Sequence, residues 1–201
     1  RPSNDRPLIE LSLPHVETRL RTYRHKTIPN LVARKRAAVA AVLRYQGSAP
    51  EVLLMKRSER EGDRWSGHVS FPGGRYDDGD VDLMATAVRE TREELSLDLE
   101  RAARPIGRLD DVAAVAAGKV LPMAISPFVF VQTERAELTL NEEAESAFWL
   151  PLARVASGEL SGTVDYTLGP VPLKLACWRF EDYVIWGLTH KMLSRLLALL
   201  H

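Results

Sequence analysis

Apolar positions along the chain fall into short blocks divided by polar turns, and the spacing within each block predicts an element. Residues 37–43, Ala-Ala-Val-Ala-Ala-Val-Leu, form an unbroken apolar run of strand length. Residues 51–56 form another after the turn cluster Gln46, Gly47, Ser48 and Pro50, so the pair predicts a hairpin. Residues 68–71 alternate as a short strand that stops at Pro72-Gly73-Gly74. The period then changes: Leu, Met, Ala, Arg and Glu dominate residues 82–95, neither Gly nor Pro interrupts, and a helix is expected. Residues 127–131, 147–150, 173–178 and 183–186 predict further strands. Residues 188–200 repeat apolar side chains at helical spacing, and residues 16–20 predict a short lead-in helix before the basic stretch 21–26. No internal repeat or linker breaks the series. The reading is one α/β (α+β) domain over residues 37–201, a mixed sheet covered by helices, preceded by a lead-in segment of residues 1–36.

Composition narrows the class. With 201 residues, 45% hydrophobic and 27% charged, the chain suits one globular domain and not a disordered, collagen-like or membrane composition. Twenty-seven Lys plus Arg balance 27 Asp plus Glu, so no global positive field exists to hold nucleic acid. No apolar run approaches the roughly 20 residues that span a bilayer, so no membrane partner is expected. The single cysteine, Cys177, cannot form a disulfide within this chain or build a cysteine-based zinc cluster. Together with the lack of a secretory leader pattern, this makes a cytoplasmic location the expectation.

The chemistry concentrates in Arg89-Glu90-Thr91-Arg92-Glu93-Glu94. At about 100° per residue, Glu94 lies about 40° to one side of Glu90 and Glu93 about 60° to the other, so all three carboxylates share a helix face. Met84, Ala87, Val88, Thr91 and Leu95 form a core-facing stripe beside it. Three acids in one turn repel and need a cation, either arginine or a divalent ion. Hard oxygen donors favour Mg2+ or Mn2+, and Mg2+ is typically held by a few carboxylates together with substrate phosphates. Just upstream, Gly73 and Gly74 permit close backbone approach to a ligand, while Pro72 stiffens the entry.

Gly74, the acid at Asp80 and residues 89–97, Arg-Glu-Thr-Arg-Glu-Glu-Leu-Ser-Leu, together resemble the Nudix hydrolase signature. Three positions depart from it: Asp80 stands for a glutamate, the Asp80 to Arg89 spacing is one residue longer, and Ser96 replaces a glycine. Residues 53–58 and 67–74, with residues 183–189 near the end, resemble the coenzyme A pyrophosphatase branch of that family. The loop between Ser58 and Gly67 departs, being one residue longer and reading Arg64-Trp65-Ser66-Gly67.

The resemblance implies a Nudix-like α/β/α sandwich and Mg2+-dependent (or Mn2+-dependent) hydrolysis of a pyrophosphate bond in a nucleoside diphosphate derivative. Coenzyme A leads as substrate, with ADP-ribose, a nucleotide sugar or a dinucleotide next; a catalytically silent nucleotide-binding module is the contrasting outcome. It further implies Glu90 and Glu94 as metal ligands, Glu93 as a third ligand or the base, and Arg89 as the group that orients a carboxylate. Glu142 and Glu143 are the candidate bases from outside the helix, with Glu143 preferred. Arg57 and Arg64 are expected to grip phosphates, Trp65 to stack on a base or fill a notch, and Gly73 and Gly74 to admit the substrate. Many members of the family are homodimers, so a homodimer is a further expectation. His68 is read as a structural histidine, and the sequence offers no account of His190.

Overall fold

The structure, a computed structural model, describes residues 9–62, 65–116, 118–168 and 170–201; the first eight residues of the lead-in segment and Arg64 lie outside the described residues. The elements in chain order are α1 (Leu13–Thr22), β1 (Lys35–Tyr45), β2 (Pro50–Arg57), β3 (Val69–Ser70), β4 (Gly73–Arg75), α2 (Leu83–Leu95), α3 (Leu99–Ala102), β5 (Ala103–Arg108) and β6 (Val112–Ala116). They continue with β7 (Lys119–Gln132), β8 (Ala144–Pro151), α4 (Leu152–Ala156), β9 (Ser161–Leu168), β10 (Val171–Phe180), β11 (Tyr183–Ile185) and α5 (Gly187–Leu199).

The expected hairpin forms, with β1 and β2 antiparallel and Leu43 opposite Val52. β1 also runs parallel to β7, from Lys35 opposite Met123 to Leu43 opposite Val131, which makes the sheet mixed. Among the described residues its spine is β3-β2-β1-β7-β5, with β4 on β1, β6 on β7 and β8 on β2. The apolar run of β1 is unbroken because both of its faces are buried. Ala37, Ala41 and Leu43, with Val52 and Leu54 of β2, pack in one cluster with Met192, Leu193 and Leu196 of α5. Ala38, Ala40 and Val42, with Leu53 and Met55, enter the other cluster with Ala87 and Leu95 of α2. Period-two alternation thus feeds two helix-covered layers, the expected α/β/α sandwich. Leu43, Leu53, Leu54 and Leu193 are fully buried, each contributing about 1.5–3 kcal/mol of transfer free energy. β9, β10 and β11 form a separate antiparallel sheet. No helix among the described residues is long and apolar enough to cross a membrane.

Several elements differ from the sequence reading. The glycine pair, where the sequence reading stops the strand over residues 68–71, opens a further short strand β4, with Gly73 opposite Val39 and Gly74 opposite Ala38. β7 extends far beyond residues 127–131, and its first half pairs with β6, Val-Ala-Ala-Val-Ala. Small residues carry little strand propensity of their own, so this pairing is imposed by the partner strand. The lead-in chain is fastened by Asp111, whose side chain is fully buried. Asp111 accepts from Arg108 at 2.6 Å, Ser126 Oγ at 2.8 Å, the Ile28 N–H at 2.9 Å and Arg36 at 3.2 Å. Burial pushes its carboxyl upward, but these donors outweigh it and hold the group below the ordinary carboxylate range.

Candidate active site

α2 is capped at both ends by the sequence itself. The Asp82 carboxylate accepts from the Ala85 N–H at 2.7 Å, and the helix stops at Ser96, which adopts a left-handed φ of 54°. Ser96 therefore performs the capping role that usually falls to glycine. The buried residues of α2 are Thr86, Ala87, Thr91, Glu94 and Leu95, whereas Met84 and Val88 are only half-buried. The buried arc is rotated toward the acids relative to the expected stripe, because α2 lies across β4 and β1 and presses its carboxylates onto the glycine pair.

That contact decides the geometry. The Gly73 N–H donates to Glu94 Oε2 at 2.8 Å. A Cβ on Gly74 would lie 2.6 Å from Glu90 Oε1 and 2.7 Å from Oε2, so only glycine leaves room for the Glu90 carboxylate. Gly73 has φ +147° and lies against the backbone of Ala38 and Val39, which excludes a side chain on its other face. Arg89 forms a fork on Asp80, with Nε to Oδ1 at 2.8 Å and Nη2 to Oδ2 at 3.0 Å, and its Nη1 reaches Glu90 Oε1 at 2.9 Å and Glu93 Oε2 at 3.3 Å. Asp80 is itself held by Thr86 Oγ1 at 2.8 Å. The spaced acid of the motif is thus the anchor that aims Arg89, and Arg89 aims Glu90.

Burial and charge sort the acids. The Glu94 side chain is 2% exposed, Glu90 17% and Glu93 54%. Burial, joined by the charge of Glu90, pushes Glu94 up to about 8 even though the Gly73 N–H and Arg57 act the other way. Burial likewise raises Glu90, against the pull of Arg89. The hydrogen bonds from Arg89 hold Asp80 far below the usual carboxylate range, and the same bond to Asp80 raises Arg89. Among the described residues no three His, Cys, Asp or Glu side chains converge as a ready-made metal cage. The donor set still fits Mg2+ or Mn2+, since Glu90 and Glu94 are hard oxygen donors sharing one face whose mutual repulsion a cation relieves, and Mg2+ completes its shell with water and phosphate.

Glu143 is brought to the same place by backbone contacts. The Asn141 N–H donates to the Glu94 carbonyl at 3.0 Å, the Asn141 side chain accepts from the Glu143 N–H at 2.8 Å, and the Ser58 N–H donates to the Glu143 carbonyl at 2.8 Å. The charge of Glu143 adds to the upward push on both Glu90 and Glu94. Arg60 pairs with it at 3.4 Å and with Glu142 at 3.1 Å, a clamp the sequence reading missed because nothing in the spacing joins position 60 to 143.

Arg57, Trp65, Gly73 and Gly74 all line one cavity of about 270 Å³, and Arg57 Nη1 also lies 4.0 Å from Glu94 Oε1. The far wall consists of His68, Trp186, Leu188 and Met192. His68 lies 4.8 Å from the Trp186 ring, so the histidine read as structural borders the cavity. Ser70, whose buried Oγ has no hydrogen-bond partner among the described residues, lines it too; no sequence signal marked it. Trp65 packs against the core and donates from Nε1 to the Val115 carbonyl at 3.3 Å, so filling a notch and presenting a wall are one role. His190 lies 4.0 Å from Trp178, a packing role away from the cavity.

A carboxylate helix pressed on a glycine strand at the rim of a cation-bordered cavity suits the binding of a hard divalent ion beside a phosphate. The NUDIX domain family matches residues 34–166, and the chain belongs to the Nudix family, the class of the Nudix hydrolases. A Schizosaccharomyces pombe protein, C14C4.10c, is 42% identical over 109 residues, covering 53% of this chain and 33% of that protein. The human mitochondrial coenzyme A diphosphatase NUDT8 is 34% identical over 156 residues, 76% of this chain and 64% of that protein. A Citrobacter koseri Nudix hydrolase named NudL is 29% identical over 189 residues, 92% of this chain and 93% of that protein. The chain thus spans less than two thirds of the first two relatives. Similarity to NUDT8 and NudL agrees with the coenzyme A pyrophosphatase-like branch that residues 53–58, 67–74 and 183–189 resemble.

Proposed function

We propose that the protein hydrolyses a pyrophosphate bond in a nucleoside diphosphate derivative, with coenzyme A or a coenzyme A derivative as the leading substrate and Mg2+ (or Mn2+) as the cofactor. The observation that carries this reading is the pressing of Glu90 and Glu94 onto Gly73 and Gly74 at the rim of the cavity that Arg57 borders. The name of the human relative supports coenzyme A over other diphosphate derivatives.

The metal, when bound, lowers the pKa of a water and neutralises charge on the phosphoryl oxygens. Glu90 and Glu94 hold it, and Glu93 serves as a third ligand. Arg89, fixed by its fork on Asp80, is a positioning residue that keeps Glu90 and Glu93 in place. Side-chain-free Gly73 and Gly74 let the diphosphate approach the carboxylate face. Arg57 takes a phosphate oxygen by charge-assisted hydrogen bonding, and Glu143 accepts the proton of the attacking water. The apolar wall of Trp186, Leu188 and Met192 receives the part of the substrate beyond the diphosphate.

The test incubates the purified protein with coenzyme A, ADP-ribose and dATP in parallel, with Mg2+ or with chelator, and separates the products by chromatography. Mg2+-dependent release of adenosine 3′,5′-bisphosphate from coenzyme A is the expected result. Cleavage of ADP-ribose or dATP alone would show that the altered loop at residues 64–67 has redirected specificity, and no cleavage in any tube would favour a binding module.

A further inference from the structure

Beside the first cavity lies a second chamber of about 620 Å³, and the two share Arg57, Trp65, Arg75 and Met123 as walls. Lys35, Arg57, Arg60 and Arg75 all border it, against the single carboxylate of Glu61 among the described residues. Strand register builds this cluster. Lys35 and Ala37 lie on one face of β1, and Arg75 of β4 is paired directly with Ala37. Arg57 and Arg60 close the opposite side from the end of β2 and the loop after it.

The four cations are not equally occupied. Arg60 is paired with Glu142 and Glu143, and Arg57 faces Glu94. Among the described residues no carboxylate pairs with Lys35 or Arg75, both of which are exposed. Gathering like charges around one hollow is unfavourable unless an anion enters it. The scissile diphosphate belongs at Gly73 and Gly74, so an anion in this chamber is a different one. Trp65, its ring tied by Nε1 to the Val115 carbonyl, stands as a fixed wall between the two spaces.

We propose that this chamber binds a second phosphate of the substrate, a phosphomonoester on the nucleoside, with Lys35 and Arg75 as the residues that select 3′-phosphorylated substrates. The inference deepens the nucleotide pyrophosphatase reading above and rests on it. Coenzyme A carries such a group on its ribose, a few bonds from the diphosphate, and 3′-dephospho-coenzyme A lacks it.

The experiment measures kcat/KM for coenzyme A and for 3′-dephospho-coenzyme A with the wild type, Lys35→Ala, Arg75→Ala and the charge-preserving Lys35→Arg, with thermal unfolding to verify folding. The wild type should prefer coenzyme A, and each alanine variant should lose about tenfold more on coenzyme A than on the dephosphorylated form, the size of one charge-assisted contact. Lys35→Arg should keep the preference. Equal treatment of the two substrates by the wild type, or equal losses on both in the alanine variants, would overturn the proposal. If neither substrate is cleaved, the reading of the activity fails separately. The chamber is then judged by calorimetric binding of adenosine 3′,5′-bisphosphate against AMP: tighter binding of the bisphosphate, weakened in both alanine variants, supports it, and indifference refutes it.

Discussion

Replacing Gly74 by alanine isolates the contact on which the candidate site turns. The added Cβ would sit 2.4 Å from Glu90 Cδ and 2.6–2.7 Å from its oxygens, where ordinary contact begins near 3.4 Å, so the carboxylate must retreat by about 1 Å. Glu90 cannot simply swing away, because Arg89 Nη1 holds its Oε1 at 2.9 Å and Arg89 is itself forked on Asp80. The backbone is no obstacle, since Gly74 is not among the residues with positive φ. Overpacking of this kind costs about 1–3 kcal/mol of stability, while a misplacement near 1 Å in a catalytic array costs about 10²-fold in rate. Gly74→Ala should therefore remain folded, bind Mn2+ more weakly in a paramagnetic titration and lose about 10²-fold in kcat/KM on the substrate identified by the panel. A double-mutant cycle supplies the control. In a Glu90→Ala background the clash has no partner, so the stability cost of Gly74→Ala should shrink to below about 0.5 kcal/mol, read from urea unfolding. Wild-type Mn2+ affinity in Gly74→Ala, or the same stability cost in both backgrounds, would refute the reasoning.

Two further outcomes follow from the buried acids. Glu94 titrates near 8 in the folded protein without metal, against 4.5 for a free glutamate, so its contribution to stability is complete below about 4.5 and is lost as pH rises toward 8. Mg2+ requires the ionised carboxylate, so the Mg2+-induced rise in Tm should be larger at pH 8 than at pH 6, and a shift independent of pH, or one that persists unchanged in Glu94→Gln, would contradict this. Asp111→Ala removes the acceptor shared by Arg36, Arg108, Ser126 and the Ile28 N–H, and should cost about 3–5 kcal/mol in denaturant unfolding, as does removing one partner of a buried ion pair. A loss below about 1 kcal/mol would mean that the lead-in chain is held by its apolar contacts alone.

Much of this was legible along the chain because its physics is local. The spacing of Glu90, Glu93 and Glu94 determines that they share a helix face, since 3.6 residues per turn admits no other outcome once residues 83–95 are helical. Burial of both faces explains why β1 could be recognised as a strand from an unbroken apolar run, and the periodicity of α5 was equally plain. Residues whose state depends on a distant partner stayed hidden. Ala113 and Ala116 are strand residues because β7 pairs with them, opposite Ala124 and Lys119. The glycine pair could be recognised as a place of close approach, but whether the approaching group was substrate or protein was undetermined, and the tertiary structure makes Glu90 one such group.

The same division runs through the acids. Sequence alone determined which carboxylates stand together and that hard-metal phosphate chemistry suits them. Only the packing of α2 across β4 decided that Glu94 is buried and pushed up to about 8 while Glu93, one residue away, stays exposed on Arg89. The gathering of Lys35, Arg57, Arg60 and Arg75 around one chamber was likewise decided by strand register, because burial and long-range pairing are properties of the folded chain and leave no mark on the spacing of residues along it.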